Sequence, residues 1–262
     1  MPDTSKPIAD VQSQRDQRRL AINKVGVRDI KHPLKVTMRN GTTQSSSGVF
    51  SMFVNLPHDQ KGTHMSRFVE LLNQGDVLIN TGSLTQLLHS MNEKLEADSG
   101  YISVAFDLFM EKSAPVSEAK SLMDYQIKLE GSNLGGTIEI NMSVLVPVTS
   151  LCPCSKKVAD YGAHNQRSHI TVTTPMNGEF AFEDIIEMVE SQSSSELYGI
   201  LKRTDEKFIT EQAYDNPKFV EDLIRDIAQE LSTTYQLTHF KVEAENFESI
   251  HNHSAYAVIQ QP

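Results

Sequence analysis

Cys152-Pro153-Cys154 holds the only two cysteines in a chain of 262 residues. Shortly after it comes Gly162-Ala163-His164-Asn165-Gln166-Arg167-Ser168, and near the C-terminus Glu248-Ser249-Ile250-His251-Asn252-His253. Thiol, imidazole and carboxylate are the groups that bind a borderline-soft metal and move protons around it. Two cysteines cannot build a four-thiolate structural zinc site. An open site with mixed Cys, His and carboxylate ligands is the better reading, and open sites are catalytic. A bridge between Cys152 and Cys154 would be strained, because the Cβ vectors of an extended Cys-Pro-Cys segment diverge.

Each group also has a plainer explanation. A free Cys is usually an inert small hydrophobe. Here Pro153 stops a strand, and Lys156 and Lys157 bring positive charge to the thiols, which favours a reactive or ligating role. His164 alone could be an ordinary loop histidine, but it sits in a polar loop just after the cysteines. Glu206, within Lys202-Arg203-Thr204-Asp205-Glu206-Lys207, reads from composition as part of a solvated charge run. His251 and His253 share one face if their segment is extended, with Glu248 nearby to orient an imidazole. Lys61, His64 and Arg67 open a helix and suit an anion, although ordinary helix-start polarity explains them nearly as well. There is no phosphate loop of the P-loop type.

Composition bounds the function classes. The net charge of -10 disfavours nucleic acid, which needs a basic face, but a local basic cluster can still hold an anionic small molecule. The chain is 39% hydrophobic and 22% charged, enough apolar residues for a core. It shows no membrane-spanning run and no signal region, so no membrane partner and a cytoplasmic location are expected.

The elements that must position these groups follow from periodicity. Residues 1–30 read as an N-terminal arm, partly disordered. A short strand near Leu34 to Met38, a strand over Val49 to Leu56, a helix with Met65, Phe68, Val69 and Leu72, and a second helix over Leu84 to Leu95 come next. Ser83 and Gln86 read as the capping box of that second helix. Strands at Ile102–Leu108 and Tyr125–Leu129 complete a first unit over residues 31–134. Residues 135–262 repeat the order: strands at Ile138–Val146 and Ile170–Val172, a helix through Phe182, Ile185, Ile186 and Val189, a helix from Asn216-Pro217 onward, and strands at Phe240–Ala244 and Ala255–Ile259. The expectation is an internally duplicated α+β protein with antiparallel sheets. Residues 192–215 are a long connection of the kind that is often functional.

Three segments resemble the prokaryotic GTP cyclohydrolase type IB family. They are Pro147-Val148-Thr149-Ser150-Leu151-Cys152-Pro153-Cys154-Ser155-Lys156, Gly162 to Ser168, and Glu248 to His253. Gly62-Thr63-His64-Met65-Ser66-Arg67-Phe68 also fits, and the likeness runs from about Val25 onward. The resemblance implies the tunnelling fold (T-fold): two tandem ββααββ units with antiparallel sheets, the barrels completed by oligomerisation, typically in a homotetramer with sites between subunits. It implies conversion of GTP and water to 7,8-dihydroneopterin triphosphate and formate, the start of tetrahydrofolate synthesis.

The same resemblance implies Cys152, His164 and Glu206 as ligands of a divalent ion (manganese, iron or zinc) that makes water nucleophilic. Cys154 would lie beside that centre, either as a further ligand or as a catalytic thiol near C8. His251 and His253 would shuttle protons, with Glu248 orienting them or the substrate. Glu221, in the first turns of the second long helix of this half, would anchor guanine through its N1–H and amine. Lys61, His64, Lys156 and Arg167 are the triphosphate candidates, with Arg67 behind them. The rival readings are an NADPH-dependent nitrile reductase, which needs a nucleophilic Cys but no metal ligands, and a metal-binding or thiol-redox protein without turnover.

Overall fold

The computed structural model describes residues 10, 12, 14–177 and 180–261. Residues 1–9, 11 and 13 of the expected arm lie outside the described residues, and its last part, from Ile22 on, is not a disordered arm but the start of the first strand. Strands β1 (Ile22–Thr37) and β2 (Thr43–Leu56) lead to α1 (Met65–Leu72), β3 (Leu78–Ile79) and α2 (Thr81–Leu95). After them come β4 (Ser99–Ser113), β5 (Lys120–Leu134) and β6 (Thr137–Leu151), then α3 (Pro153–Val158) and β7 (Asn165–Pro175). The chain ends with α4 (Phe182–Gln192), α5 (Arg203–Asp215), α6 (Val220–Thr233), β8 (Phe240–Asn246) and β9 (Ala255–Gln261).

Among the described residues, all strands join one nine-stranded sheet in the order β3-β1-β2-β4-β5-β6-β7-β8-β9. This corrects the expected α+β tunnelling fold of two tandem ββααββ units with separate antiparallel sheets. The cause is local. Gly135 and Gly136 both take positive φ (59° and 93°), the backbone that a tight hairpin turn needs. β5 and β6 therefore pair as neighbours, from Gln126↔Leu145 to Leu134↔Thr137, and no break divides the sheet at the expected boundary. The sheet is also mixed, because β3 runs parallel to β1 through Lys35↔Leu78.

Other boundaries differ for equally local reasons. The short strand at Leu34 to Met38 is the end of the long β1. Helix α2 is capped by Asn80, whose Oδ1 accepts from Ser83 N at 2.8 Å, while Ser83 Oγ accepts from Asn80 N at 3.2 Å. Ser83 is thus the returning half of the box, not the cap. Asn216 ends α5 instead of opening α6, and its Nδ2 donates to Ser193 O at 2.7 Å. α6 starts at Val220, where Asp222 Oδ2 accepts from Phe219 N at 3.2 Å. The connection over 192–215 is not a bare loop; it carries α5.

The core lies between one face of the sheet and α1, α2, α4 and α6. Inward strand positions such as Val36, Phe50, Met52, Val104, Leu129, Val144 and Val172 alternate with half-exposed ones. Leu88 and Met91 of α2, Ile185 and Val189 of α4, and Leu223 and Ile227 of α6 meet them, all fully buried. Burial of each such side chain stabilises the fold by about 1.5–3 kcal/mol.

The strand directions matter for function. β6 ends at Leu151 opposite Asn165, and β8 ends at Asn246 opposite Ala255, so these connections share one end of the sheet. β2 ends at Leu56 opposite Ile22, and β5 at Leu134 opposite both Ser99 and Thr137, so these define the other end. β6 has 15 residues, and at about 3.3 Å per residue the two ends stand roughly 50 Å apart.

Candidate functional site

The turn from β6 to β7 builds the core of the site. Pro153 occupies the first turn of α3, where its missing N–H costs nothing, and Cys152 is the N-cap, its Sγ accepting from Ser155 N at 3.4 Å. Ser155 Oγ donates to Cys152 O at 3.1 Å and accepts from His164 N at 3.2 Å. Cys152 N donates to His164 O at 3.1 Å, closing the turn. Gly162, at φ 124°, supplies a backbone that side-chain-bearing residues avoid as the chain returns to β7. Cys152 and His164 are thereby held together, while Cys154 faces outward on α3 and is exposed.

The His164 ring is held from one side. Its Nδ1 lies 2.9 Å from Gln166 Oε1 and 3.3 Å from Ser249 Oγ. Gln166 Nε2 donates to Ser150 Oγ at 2.8 Å, and Ser168 Oγ donates to the same oxygen at 2.9 Å. Gln166, Ser150 and Ser168 are all buried.

Ser249 belongs to the connection between β8 and β9, which therefore leans over the cysteine turn. Phe247 N donates to Arg167 O at 2.9 Å, and the Phe247 ring meets His169 edge-on at 4.7 Å. Burial, then the nearby Arg167 charge, pushes the His169 imidazole below its ordinary pKa. Glu248 is half-buried, and His251 and His253 are exposed with their rings stacked at 5.2 Å. Arg167 is exposed at the start of β7.

Helices α5 and α6 approach the same end. Lys156 Nζ donates to Tyr214 O and lies 4.3 Å above the Tyr214 ring, tying α3 to the last turn of α5. Lys218 N donates to Leu151 O at 3.0 Å, which sets the start of α6 beside the end of β6. Glu221 is exposed in the first turn of α6. Glu206 is exposed in the first turn of α5, next to the fully buried Asp205.

Asp205 fastens α5 to the β4–β5 turn. Its carboxylate accepts from Val116 N, Ser117 N, Ser117 Oγ and Lys202 N at 2.6–2.9 Å. Burial raises its pKa, but these hydrogen bonds outweigh it and hold the carboxyl well below the usual aspartate range. Beside it, Lys112 Nζ bridges Glu190 at 2.8 Å and Glu196 at 2.6 Å, and Tyr125 OH donates to Glu190 at 2.7 Å. Burial pushes the Glu190 carboxyl up, opposed by the Lys112 charge.

Three expected residues stand elsewhere. Lys61, His64 and Arg67 follow β2 at the far end of the sheet. There His64 Nε2 lies 3.3 Å from Asp10 Oδ2, and Lys61 Nζ donates to Gln14 Oε1 at 3.3 Å. Lys61 N and Gly62 N donate to Gln14 O and Gln12 O at 3.0 and 3.1 Å, so Gln12 and Gln14 lie against this turn. A cavity of about 270 Å³ opens between Gln12, His64, Arg67 and Glu96.

Among the described residues, no three His, Cys, Asp or Glu side chains stand close enough to hold a metal ion. The fold pairs Cys152 with His164 and leaves Glu206 on a separate helix. The donor chemistry fits a borderline-soft divalent ion: a thiol, an imidazole with Nε2 left open, and a carboxylate with room to move. Gln166 and Asp205 were missed from sequence. Gln166 carried a signal, since it lies two residues after His164 and would share its side in an extended segment; Asp205 looked like one more charge in a run.

Residues 8–257 match the family described as type I GTP cyclohydrolase folE2. The chain belongs to that family. It is 54% identical over 261 residues to the GTP cyclohydrolase FolE2 of Nitrosococcus oceani, covering 100% of this chain and 98% of the relative. It is 53% identical over 255 residues to the FolE2 of Azoarcus sp. (97% and 95% covered). It is 54% identical over 255 residues to that of Methylobacillus flagellatus (97% and 96%). Among solved structures, the chain resembles a hyperthermostable mutant of the Bacillus sp. TB-90 urate oxidase, with TM-score 0.54, 11% identity, and 91% and 99% of the two chains covered. A second structure of the TB-90 enzyme gives TM-score 0.51 at 10% identity, with 92% and 100% covered. At such identity the likeness concerns the fold alone. A urate-oxidase-like fold with a single mixed sheet replaces the tandem-unit tunnelling architecture expected for a FolE2 member.

Proposed function

We propose that the protein is a GTP cyclohydrolase I of the type IB branch. It hydrolyses GTP at guanine C8, releases formate and forms 7,8-dihydroneopterin triphosphate, the first step of tetrahydrofolate synthesis. The observation that carries this reading is the 54% identity to a GTP cyclohydrolase FolE2 along the whole chain. The local structure supports it: the cysteine turn and the β8–β9 connection bring a thiol, an imidazole and two further histidines to one end of the sheet.

In this reading Cys152, His164 and Glu206 hold a divalent ion: manganese, iron or zinc. When bound, the ion supplies the Lewis acidity that makes water nucleophilic near neutral pH. Cys154, exposed two residues further along, lies beside that centre as a further ligand or a catalytic thiol. Glu221 accepts the guanine N1–H and amine in bidentate fashion and orients C8. His251 and His253, exposed and stacked, donate and accept protons as the imidazole ring opens and the ribose rearranges, and Glu248 orients them. Arg167 and Lys156 are the phosphate-binding groups at this end, and Lys156 must leave Tyr214 to serve.

Lys61 and His64 take the triphosphate only if a second copy presents its opposite end. A homo-oligomer, read as a homotetramer, meets that requirement. Exposed Val158, Tyr161, Ile250 and Tyr256 around the cysteine end supply apolar surface for such a contact. No described helix is long and apolar enough to cross a membrane, and the protein is read as acting in the cytoplasm without nucleic acid.

GTP labelled at C8 with ¹⁴C tests the reaction. The label must leave as formate while the triphosphate stays on the pterin. Retention of label in the purine, or NADPH oxidation with a nitrile substrate, would replace this reading.

A further inference from the structure

We infer that Gln166 is a positioning residue that fixes the tautomer of His164 and so presents its Nε2 lone pair. The inference rests on the reading of His164 as a metal ligand. A neutral imidazole has one N–H and one lone pair, and only the lone pair can bind a metal. Whatever holds the other nitrogen therefore decides whether the ring can serve.

The neighbour of Nδ1 is Gln166 Oε1, at 2.9 Å. A primary amide could turn either end toward the ring, so the decision lies at its far end. There Nε2 donates to Ser150 Oγ at 2.8 Å. Ser150 also receives the Ser168 hydroxyl at 2.9 Å. Ser150 and Ser168 are 0% exposed and Gln166 is 7% exposed. Within this packing the oxygen faces His164, so Nδ1 carries the hydrogen and Nε2 is open.

The arrangement comes from the sheet itself. Ser150 pairs with Gln166 across β6 and β7, and Ser168 follows two residues later on the same face. The acceptor is a neutral amide, so it orients the ring without placing a charge in a buried position. Ser249 Oγ, at 3.3 Å, is a second acceptor for the same hydrogen but stands on an exposed connection. The buried amide is the fixed element.

The test uses full-length, metal-stripped protein with ¹⁵N-labelled histidine. Long-range ¹H–¹⁵N spectra read the tautomer of each ring, and His164→Ala assigns the signal. Wild type is expected to show His164 with hydrogen on Nδ1. Gln166→Met, similar in size but lacking the acceptor, should move it toward the Nε2–H form and weaken zinc binding about 10–100-fold in a chelator competition. Gln166→Glu keeps an acceptor and should restore both. The positioning role is overturned if Gln166→Met keeps the Nδ1–H form and wild-type zinc affinity while His164→Ala loses zinc. If His164→Ala itself keeps zinc, the ligand reading fails and the inference with it.

Discussion

The two ends of the sheet carry different chemistry. At one end, the β6–β7 turn, the β8–β9 connection and the starts of α5 and α6 collect both cysteines, His164, Glu206, Glu221, Glu248, His251 and His253. At the other, Lys61, His64 and Arg67 stand near Asp10, Gln12 and Gln14. The first end is rich in groups that ligate and transfer protons, and the second holds a lysine, a histidine and an arginine, the last two beside Asp10 and Glu96. Strands of 14–16 residues keep them apart, so no side chain can reach from one to the other. A site that uses both must draw on two copies of the chain.

Substitutions at the two ends should therefore fail in different ways. The largest effect is expected for Cys152→Ala, which should lose metal and activity together, by about a thousandfold or more in turnover, since a missing ligand removes the activated water. Stoichiometric metal in that variant, measured by elemental analysis, would rule out the ligand. Glu221→Ala should keep its metal yet lose about a hundredfold in kcat/KM, reflecting a lost bidentate contact that orients the base. Unchanged turnover would remove Glu221 from the site.

His64→Ala, at the other end, should raise KM for GTP about tenfold with metal content intact, as a lost charge-assisted contact does. At GTP far below KM, mixing His64→Ala with Cys152→Ala after dissociation and reassembly should exceed both parents if one copy supplies each end. Failure of every mixture to exceed its parents would confine the site to the cysteine end.

The smallest effect concerns stability. The depressed pKa of Asp205 means that its contribution is complete above the usual aspartate value of 3.8 and is lost as pH falls from there toward the folded value. Asp205→Asn should thus lower the urea midpoint by a constant amount at pH 5–8, and the gap to wild type should close in acid. A gap that persists unchanged below pH 3 would remove the carboxylate's charge from the explanation.

Much of this was legible in the sequence, and the failures have physical causes. Alternation located the long strands, and 3.6-residue periodicity located α2, α4 and α6, because those patterns record burial directly. Sheet continuity was missed because Gly135-Gly136 looks like any linker until its φ values make it a hairpin. Ser83 and Asn216 were misjudged because a cap depends on which backbone N–H or C=O is nearby, and spacing alone does not say. The cysteine turn stood out through rare residue types. Asp205 did not, since a buried carboxylate and a solvated one look alike within Lys202-Arg203-Thr204-Asp205-Glu206-Lys207.

The most direct test of the central claim is GTP turnover by chelator-stripped protein with and without added manganese. Formate and, after oxidation, the fluorescent pterin would be followed separately. Manganese-dependent release of both in equal amounts is the predicted result. Absence of both with manganese, iron and zinc alike would contradict the claim that this chain is a metal-dependent GTP cyclohydrolase.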